Sequence, residues 1–532
     1  MNTKDFMNKL TPQAIKYIAS ITKTDNQESY KKLKAIFDDQ TIELKSFEDT
    51  YLDIISFNWS GIERDRNWWW QLQSFPFLNW YIDSYGLQNK EEKSTYFLFC
   101  IEAIDNWIAK TKNNDSPLAW HDHATAFRIR NIINWLVFCY IQEIEVIEPS
   151  DSIDLPSLIF KHFEWLLDDQ NYSKYTNHGF DQAMIVLTIG AMFDAERLET
   201  QRLISRQRLK EEIEFAFTDE GVHKENSPGY QKFMLGRLKQ LRTLESLGEQ
   251  NITQIAESYI EKAEIFLVAI TLPDGSLPMI GDTKGFELGI FGKDIVQESY
   301  KVFDYSKSGY VIVKGNSEKV GDFYLLLKNC HNSNYHRHDD DLMIYLWCNG
   351  ETVLGDGGLY SHDEKSKIRK FIRSSLAHSV PFSSGIIERD NSKLEKLPEL
   401  FFDKKKKLIV GKSYATGSKI SRTVNIENIS QGIIEIYDEV QSLPLFINYF
   451  FSENSSIKVL KRYEAIINIG TVYCKINFPS TRSINLYKGT NEDFRETSLL
   501  SKDYGESLES IRILLSSSNT ISKMTVEVGI NK

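Results

Sequence analysis

The hydrophobic pattern of this chain changes period once, near residue 300, and that change limits the folds open to it. From about residue 94 to 270, apolar residues recur at helical spacing. Phe97, Ile101, Ile104 and Ile108 form one such set, and Ala126, Ile129, Ile133, Leu136 and Tyr140 another. Leu209, Ile213 and Phe217, then Met234, Leu238 and Leu241, continue it. Breakers such as Asn113-Asn114-Asp115-Ser116-Pro117 and Pro149-Ser150-Asp151 separate the sets, so the segment reads as successive helical hairpins. Beyond 300 the runs become short and rich in β-branched and aromatic residues. They include Tyr310–Val313, Phe323–Leu327, Met343–Trp347, Ile433–Tyr437 and Val472–Ile476, and Asn349-Gly350 is a hairpin-turn pair. Many short strands with little helical signal predict a β-sandwich. The expected chain is multidomain α and β, helical over 1–300 and β-structured over 301–532. Residues 1 to about 50 are polar and mixed and read as helix.

A length of 532 residues suits two or more domains, and a 41% hydrophobic share with 12% aromatics is enough to build large cores. A net charge of −11 argues against nucleic acid as a bulk partner. An acidic glycan remains open, through a local basic or neutral pocket. No apolar run approaches the ~20 residues of a spanning helix. The N-terminal Met1-Asn2-Thr3-Lys4-Asp5-Phe6 lacks the apolar core of a signal peptide. Five cysteines, scattered and without CxxC pairing, suit reduced thiols. Together these predict a cytoplasmic protein without transmembrane segments. Oligomeric state is not legible.

The densest chemistry lies in Tyr335-His336-Arg337-His338-Asp339-Asp340, followed by Asp356 and His378. The spacing of His338, Asp356 and His378 suits a metal site carried by three neighbouring strands. Two imidazoles and one hard carboxylate oxygen match a single divalent metal, with Zn²⁺ first in order. His336 precedes His338 by two, so on a regular strand it would share that face without being a ligand.

Three stretches of the helical half carry polar residues where helix faces should be plain. In Trp120–Arg128, His121 and His123 read as structural and Asp122 as a helix cap, while Arg128 stays a candidate for binding an anionic substrate. Thr176-Asn177-His178-Gly179 precedes the apolar run Ala183–Phe193 and reads as a loop opening a helix, a place that favours negative charge. Asp219–Tyr230 is dense in turn signals, with helical period resuming after Tyr230. Leu277–Asp282 reads as a tight turn closing the helical half. The aromatic cluster Trp59, Trp68, Trp69, Trp70, Phe75, Phe77, Trp80 and Tyr81 offers a sugar-stacking surface, although packing between helices explains most of it. Lys404–Lys407 reads as a solvated hairpin loop.

Several of these motifs resemble the heparinase II/III-like polysaccharide lyases. They are His336-x-His338-x-Asp340, the Gly355-Asp356-Gly357-Gly358 turn with Tyr360, Ser374–Ser379, Asn177-His178-Gly179, Glu225-x-Ser227-Pro228-x-Tyr230 and Leu277–Asp282. Gln231 departs from the pattern, standing where a histidine is common. The resemblance implies an incomplete (α/α) toroid followed by an antiparallel β-sandwich, acting on an acidic polysaccharide or oligosaccharide. It further implies Tyr230, His178, Asn177 and His336 as catalytic residues, Glu225 at the substrate, and a structural metal on His338, Asp356 and His378.

The implied chemistry is β-elimination of a uronate. A proton leaves C5, the C4–O bond breaks, and the site must neutralise the carboxylate and stabilise an enolate-like intermediate. Asn177 and His336 suit the carboxylate, and Tyr230 and His178 the proton transfers. No carboxylate pair stands out for hydrolysis. A catalytically silent glycan-binding protein and a hydrolase on the same scaffold remain alternatives. Heparan-type, alginate and bacterial capsular polymers are all open as substrates.

Overall fold

A computed structural model describes residues 3–60, 63–111, 116–146, 155–194, 196–290, 299–383, 396–415, 418–479 and 481–531. Contacts divide the chain into two compact units, Met1–Ala216 with Leu238–Glu257, and Phe217–Arg237 with Ser258–Lys532. The secondary structure changes at about 300, as expected, since the helix Gln250–Ile270 precedes the first long strand, Tyr300–Tyr305. The compact units do not follow the 1–300 and 301–532 division. Lys314 Nζ donates to Val268 O at 2.9 Å and the Tyr324 hydroxyl to Ile270 O at 3.2 Å, which ties the end of that helix to the strands.

The first unit is helical. Its helices include Pro12–Ile21, Gln27–Asp38, Arg66–Gln73, Pro76–Ser84, Lys90–Lys110, Asp122–Ile141, Leu155–Leu167, Asn177–Met192 and Glu199–Ala216. Their starts are fixed locally. Thr11, Asn26, Asp65 and Thr176 each accept a backbone N–H of the first turn. Asn89 and Glu92 form a capping box at Lys90–Lys110. The periodic residues Phe97, Ile101, Ile104 and Ile108 are buried, as are Ala126, Ile129, Ile133 and Leu136. Trp59, Trp68, Trp69, Phe75, Phe77 and Tyr81 are buried too, so the aromatic cluster packs helices. A short ribbon, Thr41–Ile42 with Thr50–Tyr51, interrupts the expected N-terminal helix.

The second unit carries three antiparallel sheets around one core. Five strands run in sequence order from Tyr300–Tyr305 to Glu351–Leu354. The eight-stranded sheet is ordered Ser455–Lys461, Glu464–Ile469, Val472–Asn477, Ile521–Ile530, Ile433–Val440, Ile420–Asn425, Leu408–Ser413 and Glu399–Asp403. The four-stranded sheet is ordered Thr481–Lys488, Ile511–Ser517, Leu445–Phe451 and Pro381–Phe382. Val313, Leu325, Ile436, Ile447, Ile467, Ile513 and Val526 from all three sheets share the core. In Ile433–Val440 buried positions alternate with part-exposed or exposed ones, the period that a sheet with one face in the core dictates. Asn349 and Gly350 turn the Met343–Cys348 hairpin with φ of 47° and 88°, the left-handed pair that a type I′ turn requires. Lys404–Lys407 forms the exposed turn between Glu399–Asp403 and Leu408–Ser413.

Inside the sandwich, Arg422 makes a two-pronged pair with Asp438, at 2.6 and 2.8 Å. It also donates to the carbonyls of Leu342 and Ser379, both at 3.0 Å. Both side chains are fully buried. Replacing Arg422 with Ala leaves a buried carboxylate unpaired and two carbonyls without a donor, so a loss of about 3–5 kcal/mol is expected. The midpoint of a denaturant titration checks it.

Candidate active site and metal centre

Within the second unit, one buried carboxylate gathers the polar residues. Asp282 follows Gly281, whose φ of 54° forms the tight turn expected at Leu277–Asp282. Its Oδ2 accepts from His336 Nδ1 at 2.8 Å, and its Oδ1 contacts His338 Nε2 at 2.8 Å. Arg369 donates to both oxygens, at 2.5 and 2.9 Å. Burial raises the Asp282 pKa, but His336, His338 and Arg369 outweigh it and hold the carboxyl well below the usual range. The His362 Nδ1 stands 3.9 Å from the same carboxylate and its ring 5.3 Å from that of His336. Sequence reading assigned Asp282, Arg369 and His362 no role. A Gly-Asp pair in a turn looks like architecture, and only the fold shows what its side chain meets.

Tyr230 opens the helix Pro228–Gln240, and its ring stacks on His336 with centroids 4.0 Å apart. Burial first, then the carboxylates of Asp282 and Glu225, push the phenol well above its ordinary value, so it stays protonated. Glu225 Oε2 lies 3.5 Å from His336 Nε2. Thr283 fixes the helix start beside the turn, with Ser227 Oγ at 2.8 Å and Gly229 N–H at 3.1 Å from its hydroxyl. Asn226 donates to the carbonyls of Ser333 and Tyr335, at 3.0 and 3.2 Å, which joins the Glu225 loop to the His336 loop. Gln231, the departure from the family pattern, is buried. It accepts from His223 N–H at 2.6 Å and donates to Gly221 and Ala263 carbonyls at 2.9 and 3.3 Å, a scaffold role for the turn.

The histidine pair does not lie on a strand. His336 and His338 sit in the loop between Gly321–Lys328 and Met343–Cys348, and His336 has a left-handed φ of 52°. The expected arrangement of three neighbouring strands is therefore corrected: a loop supplies His338, and Asp356 and His378 face each other across an isolated bridge. Gly358 makes the Asp356 turn possible. Its φ is 73°, a Cβ there would lie 2.3 Å from Ser501 O, and its N–H donates to Asp356 Oδ1 at 2.9 Å. Asp340, part of the same motif, forms a buried pair with Lys328.

His338, Asp356 and His378 each offer a ligand atom within 4.8 Å of the others, and all three are buried. The fit to a metal can be tested on the unsatisfied atoms. His338 Nδ1 and His378 Nε2 are buried without a hydrogen-bond partner among the described residues. Orphaned imidazole nitrogens are costly in a core, and a cation beside the Asp356 carboxylate would satisfy both. The Asp282 carboxylate on His338 Nε2 is the outer partner that leaves Nδ1 for a metal. The residues therefore fit a divalent metal.

In the helical unit, Asn177 and His178 are the first residues of the helix Asn177–Met192, with Thr176 as its cap. His178 Nδ1 lies 2.9 Å from Asp122 Oδ2, and Ser173 Oγ donates to the same oxygen. The His178 ring stacks on His123 at 3.9 Å, and His123 Nε2 contacts the buried Asp181 at 2.9 Å. Gly179 permits the close approach here, since a Cβ would lie 2.4 Å from Ser173 O. Asp122 thus begins its helix and also meets His178, a long-range contact no local signal reveals.

Arg128 is corrected as a substrate candidate. It is fully buried, lies over the Trp107 ring at 4.2 Å, and donates to His162 Nε2 at 2.9 Å and to the carbonyls of Gln73 and Ala119 at 2.9 and 2.7 Å. Burial lowers its pKa to about 9. Its guanidinium serves packing between helices.

The family description Heparinase II/III N-terminus matches residues 4–308, and Heparinase II/III-like, C-terminal matches residues 298–440. The chain belongs to the heparinase II/III family. Among solved structures, a heparinase III is similar with a TM-score of 0.72 at 14% identity, over 96% of this chain and 86% of that one. The heparan sulfate lyase HepC from Pedobacter heparinus gives 0.64 at 15% identity, over 99% and 86%. A xanthan lyase from Paenibacillus gives 0.51 at 9% identity, over 99% of this chain and 60% of that one. No curated protein sequence matches. At these identities the likeness carries the fold, an (α/α) toroid plus β-sandwich as the family resemblance implied.

His223 is buried beside this site, and burial depresses its pKa to about 3. The unfolded chain takes up this proton near pH 6.5 while the folded chain does not, so its neutral form supports the fold above pH 6.5. Stability is expected to fall by about 1.4 kcal/mol per pH unit between pH 6.5 and 3 through this group. Thermal unfolding of His223→Asn against the unaltered protein over that range checks the slope, which flattens in the variant.

Proposed function

We propose that this family member is a polysaccharide lyase that cleaves a uronate-containing glycan by β-elimination. The observation that supports it most is the stack of Tyr230 on His336 at 4.0 Å, with the phenol kept protonated by burial and neighbouring carboxylates. Such a phenol suits the acid of the reaction. In this reading a base removes the C5 proton, the C–H electrons form the C4=C5 double bond, and the C4–O bond breaks. Tyr230 gives its proton to the departing oxygen. The unsaturated uronate end carries the new double bond.

His178 takes the role of base, and Asn177, an uncharged donor in the first turn of its helix, faces the substrate carboxylate. His336 is the second candidate for that carboxylate, its ring oriented by Asp282 through Nδ1 at 2.8 Å. Glu225 accepts from a sugar hydroxyl. The metal held by His338, Asp356 and His378 is Zn²⁺ in this reading. It supplies no step of the elimination and fixes the loop that presents His336. The substrates are acidic glycans: heparan-type chains, alginate and bacterial capsular polymers, handled in the cytoplasm.

The deciding measurement is ultraviolet absorbance during incubation with heparan sulfate, chondroitin, hyaluronan, alginate and purified capsules. A conjugated-uronate signal on at least one is expected, with a loss of about a hundredfold or more in Tyr230→Phe. Reducing ends without the chromophore would mean hydrolysis, and binding with neither product would mean a silent glycan-binding protein.

The metal is tested by elemental mass spectrometry of the purified protein. About one zinc per chain is expected, with His378→Ala emptying the site and lowering the unfolding temperature. Full stability and an unchanged metal content in that variant would refute the assignment.

A further inference from the structure

Asp122 read as a helix cap from sequence, yet its carboxylate sits against three histidines. We propose that Asp122 is the positioning residue of His178, holding the imidazole proton on Nδ1 and leaving Nε2 as the atom that accepts a proton. The inference rests on the reading that His178 acts as the base.

Arg66 carries a guanidinium, which only donates. Its Nη2 lies 2.7 Å from His121 Nε2, so that nitrogen accepts and the His121 proton sits on Nδ1. His121 Nδ1 is 2.8 Å from Asp122 Oδ1, and the backbone N–H of His123 donates to the same oxygen at 2.6 Å. Oδ1 thus takes the His123 N–H, with the His121 ring against it at ion-pair distance but not aligned for a hydrogen bond, and Oδ2 takes Ser173 Oγ and His178 Nδ1. Burial raises the Asp122 pKa, but His121, His178 and Ser173 outweigh it and hold the carboxyl well below its usual range. An ionised carboxylate accepts only, so His178 Nδ1 is the donor of the pair.

Two further contacts leave the ring no other setting. The stack on His123 at 3.9 Å and 18° fixes its plane, and Asp181 anchors His123 from behind. The bond to Asp122 fixes rotation within that plane. The His178 side chain is 35% exposed while that of Asp122 is 14% exposed, so the ring meets more solvent than its holder. This is the logic of a carboxylate orienting a histidine base, reached without a serine.

Asp122→Asn separates orientation from bulk. The His123 N–H keeps the amide oxygen on its side and turns the amide NH₂ toward His178. That nitrogen then faces a donor, and its proton is expected to move to Nε2. The test is nitrogen NMR of histidine-labelled, full-length protein at about pH 8, above the ordinary imidazole range. The His178 signals are identified by their loss in His178→Gln. Unaltered protein is expected to show Nδ1–H and a bare Nε2, and Asp122→Asn the reverse. Ser173→Ala, which keeps the carboxylate, is expected to stay unaltered.

With the polymer that responds in the absorbance assay, Asp122→Asn is expected to lower kcat about a hundredfold or more with little change in KM. Asp122→Glu is expected to restore part of it. An Nε2–H tautomer in the unaltered protein, or an Asp122→Asn variant that keeps Nδ1–H, would overturn the proposal whether or not the variant is active. A tautomer reversal in a protein that forms no unsaturated product on any polymer would uphold the positioning and refute the lyase reading. The two failures are therefore distinct.

Discussion

A buried carboxylate ion survives in a core only where donors surround it, and Asp282 shows what that demand does to a structure. Its two oxygens face His336, His338 and both prongs of Arg369. Removing any one leaves a charge less well compensated where solvent cannot help. The carboxylate therefore orders three separate segments, the loop after Gly321–Lys328, the helix Lys367–Arg373 and its own turn. The same atom set links two chemistries. One histidine of the pair stacks on Tyr230, and the other presents its second nitrogen to Asp356 and His378. A metal at that cluster and the setting of His336 are mechanically one problem, because the partners of a single carboxylate cannot move independently.

The helical unit solves a similar problem with different parts. Asp122 meets His178 and Asp181 meets His123, and those two rings stack. Here a helix start supplies the framework. Asn177 and His178 stand in the first turn, where unpaired N–H groups and the helix dipole favour negative charge. The Asp122 carboxylate, which meets His178 in that turn, is stabilised there. In the β-structured unit no helix start is needed, since an arginine provides the compensation.

Legibility from sequence follows range of interaction. The change of hydrophobic period, the Asn349-Gly350 turn and the helix opened by Thr176 depend on neighbours a few positions away, and each was readable. The His338, Asp356 and His378 set was readable because its residue types are rare and chemically pointed. Arg128 was misjudged because its spacing says nothing of what surrounds it. An arginine on a helix reads as solvent-facing until Trp107, His162 and two carbonyls are found around it. Asp282 and Asp122 were invisible for the same reason. Their partners lie 54 to 87 positions away for Asp282 and 51 and 56 positions away for Asp122.

The strand expectation for His336 and His338 failed in an instructive way. On a regular strand, positions i and i+2 point to one face, so both rings would approach one point from the same side. The chain instead turns through a left-handed φ of 52° at His336. A non-glycine residue accepts that conformation only when its surroundings compensate, at a cost of order 1–3 kcal/mol. The compensation is visible: one ring reaches Oδ2 of Asp282 and the other Oδ1, each at 2.8 Å. Two histidines that a strand would have made competitors become partners of opposite oxygens. With that turn, Nδ1 of His338 is left without a hydrogen-bond partner beside Asp356 and His378, and the His336 ring stacks on Tyr230 at 4.0 Å and 28°.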